Sequence, residues 1–289
     1  MPILNFGSCC IDHVYSVTHF AAPGETLACS DYQVHPGGKG LNQSIAMAAA
    51  GAKVRHAGKV GEDGRWLLDL MASKNIDVSP MKVGAGPTGH ANIQVTPEGE
   101  NSIILFGGAN RTITESDIDE VLEAAQPGEF LLIQNEISSL DYLIERAREK
   151  KMRVAFNAAP MTGDVNVLPL EAIELLVINE IEGFELTTKT EPDDIIATLL
   201  SWFASTNILL TLGAAGSIFA GKGDSVFQPA MQVKAKDTTA AGDTYVGFFL
   251  AGYSAGNTVE ECLSLATSAA AVCVTRPGAA TSIPNLDEL

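Results

Sequence analysis

Residues 237–245, Asp-Thr-Thr-Ala-Ala-Gly-Asp-Thr-Tyr, are the most informative stretch of the chain, and they run directly into the apolar residues 246–250, Val-Gly-Phe-Phe-Leu. Small residues and a glycine, followed by a carboxylate and an apolar run, indicate the start of a buried helix. The free amides of a helix N-terminus bind phosphate. A carboxylate beside them can take a proton from an alcohol that attacks the phosphate. Two interpretations of Asp243 stay open: it is the base of a small-molecule kinase, or it only balances the helix dipole.

Short apolar segments alternate with amphipathic segments along the rest of the chain. The pattern predicts buried strands at residues 3–6, 54–60, 130–134, 153–157, 175–178 and 208–212. It predicts helices at residues 42–50, 64–73, 116–125, 141–150 and 193–204. Alternation of this kind indicates an α/β fold with a mainly parallel sheet and helices on both of its faces. Ligands bind beyond the carboxyl ends of such strands, so we expect Asp243 at that edge.

Two regions, residues 9–36 and 87–107, carry no helical pattern. Both contain extended segments broken by turns, and residues 88–96 and 101–106 have the pattern of a hairpin. We expect them to form a small β-sheet that acts as a lid over a core made of residues 1–8, 37–86 and 108–289. The alternative is that they are ordinary surface decoration.

Composition narrows the class of protein. A chain of 289 residues with 46% hydrophobic and 18% charged residues fits a folded enzyme with one large α/β domain and a small appendage. A net charge of −17 argues against nucleic acid or an anionic membrane as partner. The five cysteines include no CxxC pair, so no zinc or disulfide framework is expected. No signal peptide or membrane span is predicted, and the expected compartment is the cytoplasm.

Three further segments have the composition of ligand-binding turns. Residues 37–40, Gly-Gly-Lys-Gly, lack the spacing of a Walker loop, but their glycines allow close approach of a ligand, and Asn42 can bind vicinal hydroxyls. Residues 179–182, Asn-Glu-Ile-Glu, follow a strand and suit either Mg²⁺ or a helix N-cap. Residues 211–216, Thr-Leu-Gly-Ala-Ala-Gly, suit either a nucleotide or a tight turn.

These four segments, in this order, resemble the ribokinase-like family of carbohydrate kinases, and within that family the ribokinases. The resemblance extends over nearly the whole chain. It includes Asp12-His13, Pro23-Gly24-Glu25-Thr26, Gly61-Glu62-Asp63-Gly64, Gly108-Ala109-Asn110, Gln134 with Glu136, Asn157 with Ala159-Pro160, and Thr275-Arg276-Pro277-Gly278.

The resemblance implies a fold and an activity. The fold is a three-layer α/β/α sandwich with a mainly parallel central sheet and a small β-sheet lid. The activity is transfer of the γ-phosphoryl group of ATP to a primary hydroxyl of ribose or a closely related sugar. Asp243 would be the general base, and the amides of Ala240, Ala241 and Gly242 would form the anion hole.

The same resemblance implies roles for other residues. The sugar would be bound by Asp12, Gly38, Lys39, Asn42 and Glu136, together with Asp243. The ATP site would be lined by Asn179, Thr211, Gly213, Gly216 and Gly242, and Asn179 and Glu182 would organise Mg²⁺ through water. A monovalent cation, K⁺, would be held partly through backbone carbonyls by Asp237, Thr239, Cys273, Arg276, Gly278 and Ser282. The lid would also form the contact of a homodimer.

The chain departs from the ribokinase pattern on the sugar side. Cys10 stands where ribokinases have an asparagine, and Ala158 replaces a usual proline. His90 lies on a lid segment that could face the sugar. The sugar's identity therefore stays open between ribose, another pentose, a hexose such as fructose, and a nucleoside. A sugar-sensing protein without turnover is the alternative of a different class.

Overall fold

The structure is a computed structural model that describes residues 2–221 and 223–289, without the side chains at positions 163 and 164. Its strands are β1 (Ile3–Phe6), β2 (Cys10–Ser16), β3 (Asp31–Gly37), β4 (Val54–Val60), β5 (Met81–Val83), β6 (Gly89–Val95), β7 (Asn101–Phe106), β8 (Phe130–Gln134), β9 (Arg153–Asn157), β10 (Leu175–Asn179), β11 (Asn207–Thr211), β12 (Gly216–Gly221) and β13 (Asp224–Pro229). Its α-helices are α1 (Lys39–Ala49), α2 (Arg65–Ser73), α3 (Glu115–Glu123), α4 (Leu140–Glu149), α5 (Glu180–Thr187), α6 (Pro192–Trp202), α7 (Ala241–Ala255) and α8 (Val259–Cys273).

The larger sheet has nine strands in the order β13-β12-β11-β10-β9-β8-β1-β4-β5. The strands from β11 to β5 run parallel, whereas β12 and β13 form an antiparallel hairpin at one edge. Ile3 pairs with Val54 on one side and with Phe130 on the other, so β1 lies inside the sheet. A strand covered on both faces is apolar throughout, as β1 and β8 are.

Helices pack on both faces of this sheet. One apolar cluster joins α3, α4 and α6 to residues such as Leu131 and Ile133 of β8, and a second joins α1, α2, α7 and α8 to Phe130 and Leu132 of the same strand. Successive side chains of a strand point to opposite faces, which is why alternate residues of β8 enter different clusters. The result is three layers with one apolar interface on each side of the sheet.

The smaller sheet has four strands in the order β3-β2-β6-β7. β6 and β7 form the predicted hairpin, β2 pairs with β3 antiparallel, and β2 pairs with β6 in parallel. Cys10 lies opposite both Gly37 and Gly89, so the sheet begins where β2 leaves the core. This sheet extends from the edge of the core at which the parallel strands end.

The predicted α/β fold with a mainly parallel sheet and a small second sheet is confirmed. The bounds of β1, β4, β8 and β9 agree with the prediction, and those of β10 and β11 differ by one residue. Helix α1 begins at Lys39 rather than at Asn42, and the helix expected at 193–204 spans Pro192–Trp202 because Pro192 occupies its first turn. The edge hairpin β12–β13 was not predicted. In the described part of the chain, no helix is long and apolar enough to cross a membrane.

Candidate active site

Asp243 lies in the first turn of α7 and is buried, with 8% of its surface exposed. Its Oδ2 atom accepts a hydrogen bond from Asn42 Nδ2 at 3.0 Å, and its Oδ1 atom accepts one from Gln43 Nε2 at 2.9 Å. Both donors lie in the first turns of α1. The N-termini of α1 and α7 therefore meet at the Asp243 carboxylate, at the carboxyl edge of the sheet.

The backbone before Asp243 takes an unusual shape. Ala240, the N-cap residue of α7, has φ 59° in the left-handed region, which costs a residue with a Cβ atom roughly 1 kcal/mol. The Ala241 amide donates to the Thr238 carbonyl at 3.2 Å. Among the described residues, the amides of Ala240 and Gly242 have no protein acceptor, and a Cβ atom on Gly242 would meet nothing within 4 Å. Two of the three amides expected to form the anion hole are thus free to bind an anion.

Asp12 lies on β2, packed against the glycines that precede α1. A Cβ atom on Gly37 would lie 2.1 Å from Asp12 Oδ2. Gly38 has φ 92°, and a Cβ atom on it would lie 3.0 Å from the Cys10 amide nitrogen. A residue with a side chain at either position would displace Asp12 or the strand. Burial, with the neighbouring Glu136 carboxylate, raises the pKa of Asp12 to about 6.

Glu136 and Lys39 connect the two sides of the site. Glu136 Oε2 accepts hydrogen bonds from the Lys39 amide at 3.0 Å and from the Ser8 hydroxyl. The Asp243 carboxylate, and after it Glu136 and Glu182, raise the pKa of Lys39 despite partial burial. The Lys39 ammonium group therefore stays charged within reach of three carboxylates.

A cavity of about 220 Å³ lies between the small sheet and the core, lined by Cys10, Leu105, Gly107, Asn110, Arg111, Glu136 and Pro160. The Cys10 Sγ atom accepts a weak hydrogen bond from Asn110 Nδ2 at 3.5 Å, and burial raises the pKa of the Cys10 thiol well above its usual value. The thiol is neutral and offers only a weak donor. Leu105 and Arg111 were not singled out from the sequence, since neither belongs to a glycine-rich or acidic motif.

A second cavity of about 220 Å³ has Lys39, Asn179, Glu182, Thr211, Gly242 and Asp243 among its lining residues. Asn179 and Glu182 form a capping box at the start of α5: Asn179 N donates to Glu182 Oε2, and Glu182 N donates to Asn179 Oδ1, both at 2.8 Å. The helix-cap interpretation is therefore correct. Burial raises the pKa of Glu182, and its second carboxylate oxygen stays available for Mg²⁺-bound water.

A third, mostly apolar cavity of about 400 Å³ adjoins the second one and shares Asn179, Thr211 and Gly242 with it. It brings together the predicted nucleotide residues Asn179, Thr211, Gly213, Gly216 and Gly242. Its other walls are Met231 and Val233 from the segment after β13, and Tyr245, Ala270, Ala271 and Val274 from α7, α8 and the residue after α8. Sequence reasoning missed these residues because an apolar side chain, whether on a helix or in a loop, carries the same signal as a core residue.

The six positions assigned to a monovalent cation fall in the loop before α7 and at the C-terminal end of α8 with the loop that follows it. Asp237 accepts hydrogen bonds from the amides of Thr239 at 2.9 Å and Gly278 at 2.8 Å, and Cys273 Sγ lies 3.1 Å from Ser282 Oγ. The Arg276 side chain pairs with Glu288 at 2.6 Å, so this residue has only its backbone to offer. Carboxylate, hydroxyl and carbonyl oxygens fit a hard cation such as K⁺. No cluster of three or more His, Cys, Asp or Glu residues suited to a metal occurs in the described residues.

His90 lies on the face of the small sheet opposite to Cys10 and Asp12. Gly89 pairs with Cys10 and His90 with Ile11, and consecutive residues alternate between faces. The His90 ring contacts His13 at 5.9 Å and Phe106 at 5.1 Å between ring centroids. Tyr15 and Tyr32 share this outer face, with centroids 5.0 Å apart. His90 and these aromatic rings therefore do not face the cavity beside Cys10.

The chain matches the pfkB family of carbohydrate kinases over residues 3–286, and it belongs to that family. It is a carbohydrate kinase whose relatives include a ribokinase of Haemophilus influenzae, 36% identical over 291 residues, covering 98% of this chain and 95% of the relative. A deoxyribokinase of Salmonella typhi is 29% identical over 298 residues, covering 100% and 97%. A ribokinase of Arabidopsis thaliana, solved with ribose and ATP, superimposes with a TM-score of 0.88 at 28% identity, covering 99% and 96%.

Proposed function

We propose that this kinase transfers the γ-phosphoryl group of ATP to the primary hydroxyl of ribose or a closely related pentose, with Asp243 as general base. The observation that carries the proposal is the buried Asp243 carboxylate, fixed by two amide donors beside the free amides of Ala240 and Gly242. A fixed base next to an anion site is the arrangement that phosphoryl transfer to an alcohol requires.

In the proposed reaction, the sugar's primary oxygen forms a bond to the γ-phosphorus while the bond from that phosphorus to the bridging oxygen breaks. Asp243 accepts the hydroxyl proton, and ADP leaves with the bridging oxygen. The amides of Ala240 and Gly242 and the Lys39 ammonium group stabilise the negative charge that develops on the transferred group. Each of these groups lines or borders the cavity that contains Asp243.

The apolar cavity supports the nucleotide assignment. Its apolar walls, which include Met231, Val233 and Ala271, suit the flat adenine ring. Its polar end, at Asn179, Thr211 and Gly242, adjoins the cavity that contains Asp243. ATP would thus extend from the cavity beside α8 to the N-terminus of α7. Mg²⁺, bound through water near Glu182, would neutralise phosphate charge, and K⁺ in the loops of Asp237 and Ser282 would add to the positive field at the anion site.

The sugar would lie between Asp243 and the small sheet. Asp12 and Glu136 offer carboxylate oxygens to its hydroxyls, and Asn42 offers an amide. The Tyr15, Tyr32 and Phe106 rings of the small sheet lie on its outer face. The cavity beside Cys10, as the described residues line it, contains no Tyr, Phe or Trp, and it therefore suits a bare sugar better than a nucleoside.

A second candidate substrate is 2-deoxyribose, the sugar that the name of the Salmonella relative indicates for that protein. The neutral Cys10 thiol is a weak partner for a hydroxyl, so a sugar with hydrogen at the carbon that faces Cys10 loses little binding energy. Ribose would bury a hydroxyl with a poor partner, at a cost of about 1–3 kcal/mol.

A sugar panel tests the assignment. ADP release is measured with ribose, 2-deoxyribose, fructose and adenosine, with and without K⁺, for the native chain and for Cys10→Asn. We expect turnover with the pentoses only, and a higher ribose-to-deoxyribose ratio of kcat/KM in Cys10→Asn. Turnover with adenosine or fructose alone would contradict the pentose assignment. Tight sugar binding without product from any sugar would favour a sensor instead.

We also propose that the small sheet is a lid that closes over the sugar and that its outer face and free edge form a homodimer contact. Every residue of β7, an edge strand, is exposed, and Ile104 is 66% exposed. Exposed apolar edge strands pair readily with another chain. Closure would exclude water from the transferred phosphoryl group.

Two measurements test the lid. Small-angle scattering should show compaction with sugar and a non-hydrolysable ATP analogue, and an unchanged curve would contradict closure. Sedimentation equilibrium should show a dimer that Ile104→Glu dissociates. Val167→Glu is the matched control, since Val167 is exposed but lies outside the small sheet. A native monomer would contradict the dimer.

A further inference from the structure

We infer that Gln43 is a positioning residue for the catalytic carboxylate, and that a buried chain of side-chain amides holds it in place. The inference rests on the proposed role of Asp243. Gln43 follows Asn42 on α1, and its side chain is fully buried. Asn42 lies at the sugar side of the site, whereas the side-chain hydrogen bonds of Gln43 run to Asp243, Asn157 and Gln134.

The hydrogen bonds of Gln43 fix the orientation of its amide. Its Nε2 atom donates to Asp243 Oδ1 and to Asn157 Oδ1, both at 2.9 Å, which uses both of its hydrogens. Its Oε1 atom accepts from Gln134 Nε2 at 2.8 Å. A flipped amide would place Oε1 against two acceptors and Nε2 against a donor. The flipped state is therefore excluded, and the nitrogen always faces the carboxylate.

Gln134 is fixed in turn by the centre of the sheet. Its Nε2 atom also donates to Asn5 Oδ1 at 3.0 Å, and Asn5 Nδ2 donates to the Gly40 carbonyl at 2.7 Å and to Ser44 Oγ at 2.8 Å. Asn5 and Gln134 are fully buried. The amide chain of Asn5, Gln134 and Gln43 thus leads from β1 and β8 to the Asp243 carboxylate.

Burial makes this chain rigid. Rotating the Asn5 or Gln43 amide leaves a buried polar atom unpaired, which costs about 1–3 kcal/mol for each group. In Gln134 only the Nε2 atom is paired and Oε1 has no partner among the described residues, but a flipped amide would turn Oε1 toward the acceptor oxygens of Asn5 and Gln43. Each rotation also breaks the neighbour's hydrogen bond, so the chain resists displacement as a unit. The direction in which Asp243 Oδ1 points is therefore set by the sheet and not only by α7.

The position of the chain indicates more than a structural role. A buried polar cluster costs desolvation, and apolar residues of the same size could fill the space beneath α1 without that cost. The chain ends on a carboxylate at the anion site, and the fixed amide donor of Gln43 sets the direction of the carboxylate that would accept the hydroxyl proton. Loss of Gln43 should therefore slow the chemical step and leave substrate binding nearly unchanged.

The test compares Gln43→Met with a matched control. Methionine keeps the length of the side chain and removes its donors. The control is Thr206→Val. It removes a buried hydrogen bond, 2.9 Å long, from Thr206 Oγ1 to the Ile173 carbonyl, just before β11 and at the end of that strand opposite to the site. For Gln43→Met we expect kcat to fall at least tenfold, because a small misplacement of a catalytic group slows the reaction strongly, while KM for sugar and ATP stays within threefold. Thr206→Val should lower Tm and leave kcat unchanged.

A second variant, Gln134→Met, loosens Gln43 without touching Asp243, and it serves if Gln43→Met does not fold. We expect a smaller fall in kcat, again with KM for sugar and ATP within threefold. A folded Gln43→Met or Gln134→Met enzyme with the native kcat would overturn the inference. Asp243→Asn separates the two proposals: if that variant retains full turnover, the general-base role fails, whereas an inactive Asp243→Asn beside a native Gln43→Met refutes only the role of Gln43.

Discussion

Gly247 on α7 lies so close to Ala46 on α1 that a Cβ atom on the glycine would be 2.3 Å from the Cβ atom of Ala46. One helical turn nearer to each N-terminus, Asp243 and Asn42 form their 3.0 Å hydrogen bond. The contact of two small residues therefore sets the separation at which the carboxylate meets the donors of α1. This geometry places a packing constraint directly beneath the site.

Gly247→Ala should push the two helices apart. Overpacking of this kind costs about 1–3 kcal/mol, only partly offset by the better helix propensity of alanine. Because a small misplacement of catalytic groups slows the reaction strongly, we expect kcat to fall by roughly tenfold or more. The measurements are kcat and the midpoint of thermal unfolding.

Gly252→Ala is the matched control for that variant, because it lies in the same helix and its Cβ atom would meet mainly the Cys262 Sγ atom, at 3.1 Å. A thiol can shift by a few tenths of an ångström, so this variant should keep its native kcat. Equal activities in the two variants would contradict the spacing role of Gly247.

Gly242→Ala should separate stability from activity. The added Cβ atom meets no protein atom within 4 Å, and alanine favours a helix over glycine by about 1 kcal/mol. The melting temperature should therefore stay the same or rise. A methyl group in the open space beside the free Gly242 amide would obstruct the transferred phosphoryl group, so we expect kcat/KM for ATP to fall at least tenfold. A stable variant with native kinetics would rule out phosphate binding at this position.

Asp12 should make the folded state less stable at neutral pH. Its folded pKa of about 6 lies above the ordinary value of 3.8, so the native protein holds this proton more tightly than the unfolded chain does. Stability attributable to Asp12 falls as pH rises from 3.8 to 6, by at most about 3 kcal/mol. Urea unfolding of Asp12→Asn should show higher stability than the native chain at pH 7.5 and no advantage at pH 4. KM for the sugar should rise at both pH values in that variant.

His56 should change the stability of the folded state with pH in the direction opposite to that of Asp12. It is fully buried, its Nδ1 atom lies 2.7 Å from Ser44 Oγ, and burial lowers its pKa from 6.5 to about 4. The unfolded chain takes up this proton first, so stability falls as pH drops from 6.5 to 4. The effects of Asp12 and His56 on the free energy of unfolding therefore partly cancel in the native chain as pH falls. In Asp12→Asn only the His56 effect remains, so the free energy of unfolding should fall more steeply between pH 6.5 and 4 than in the native protein. The same dependence on pH in both proteins would refute these two pKa assignments.

The core of the fold was predictable because its signals are local. β8, a five-residue apolar run, has the predicted bounds, since a strand covered on both faces must be apolar throughout. The tight turn at Gly37 and Gly38 was also predictable from local sequence. Only glycine allows the backbone to pass so close to Asp12 and to residues 8–10. The hairpin β12–β13 escaped prediction because β13 is largely exposed and its sequence, Asp-Ser-Val-Phe-Gln-Pro, contains no apolar run of strand length.

The site was only partly predictable because it is assembled from distant positions. Gln43 and Asp243 are 200 residues apart in the chain and become partners only through the packing of α1 on α7. Met231 and Val233 line the cavity that we propose for the nucleotide, with side chains that any core could use. Asn179 and Glu182 could be read as a helix cap or as Mg²⁺ partners, and the capping box leaves one carboxylate oxygen for the second role.

The most direct test of the proposed mechanism is single-turnover phosphoryl transfer by Asp243→Asn with ribose, 2-deoxyribose and ATP. A general base contributes about 10²–10⁴-fold, so the rate of sugar phosphate formation should fall by at least 10² with either sugar that the native enzyme phosphorylates. Sugar and nucleotide affinities should change far less. Phosphoryl transfer at the native rate by this variant would contradict the account.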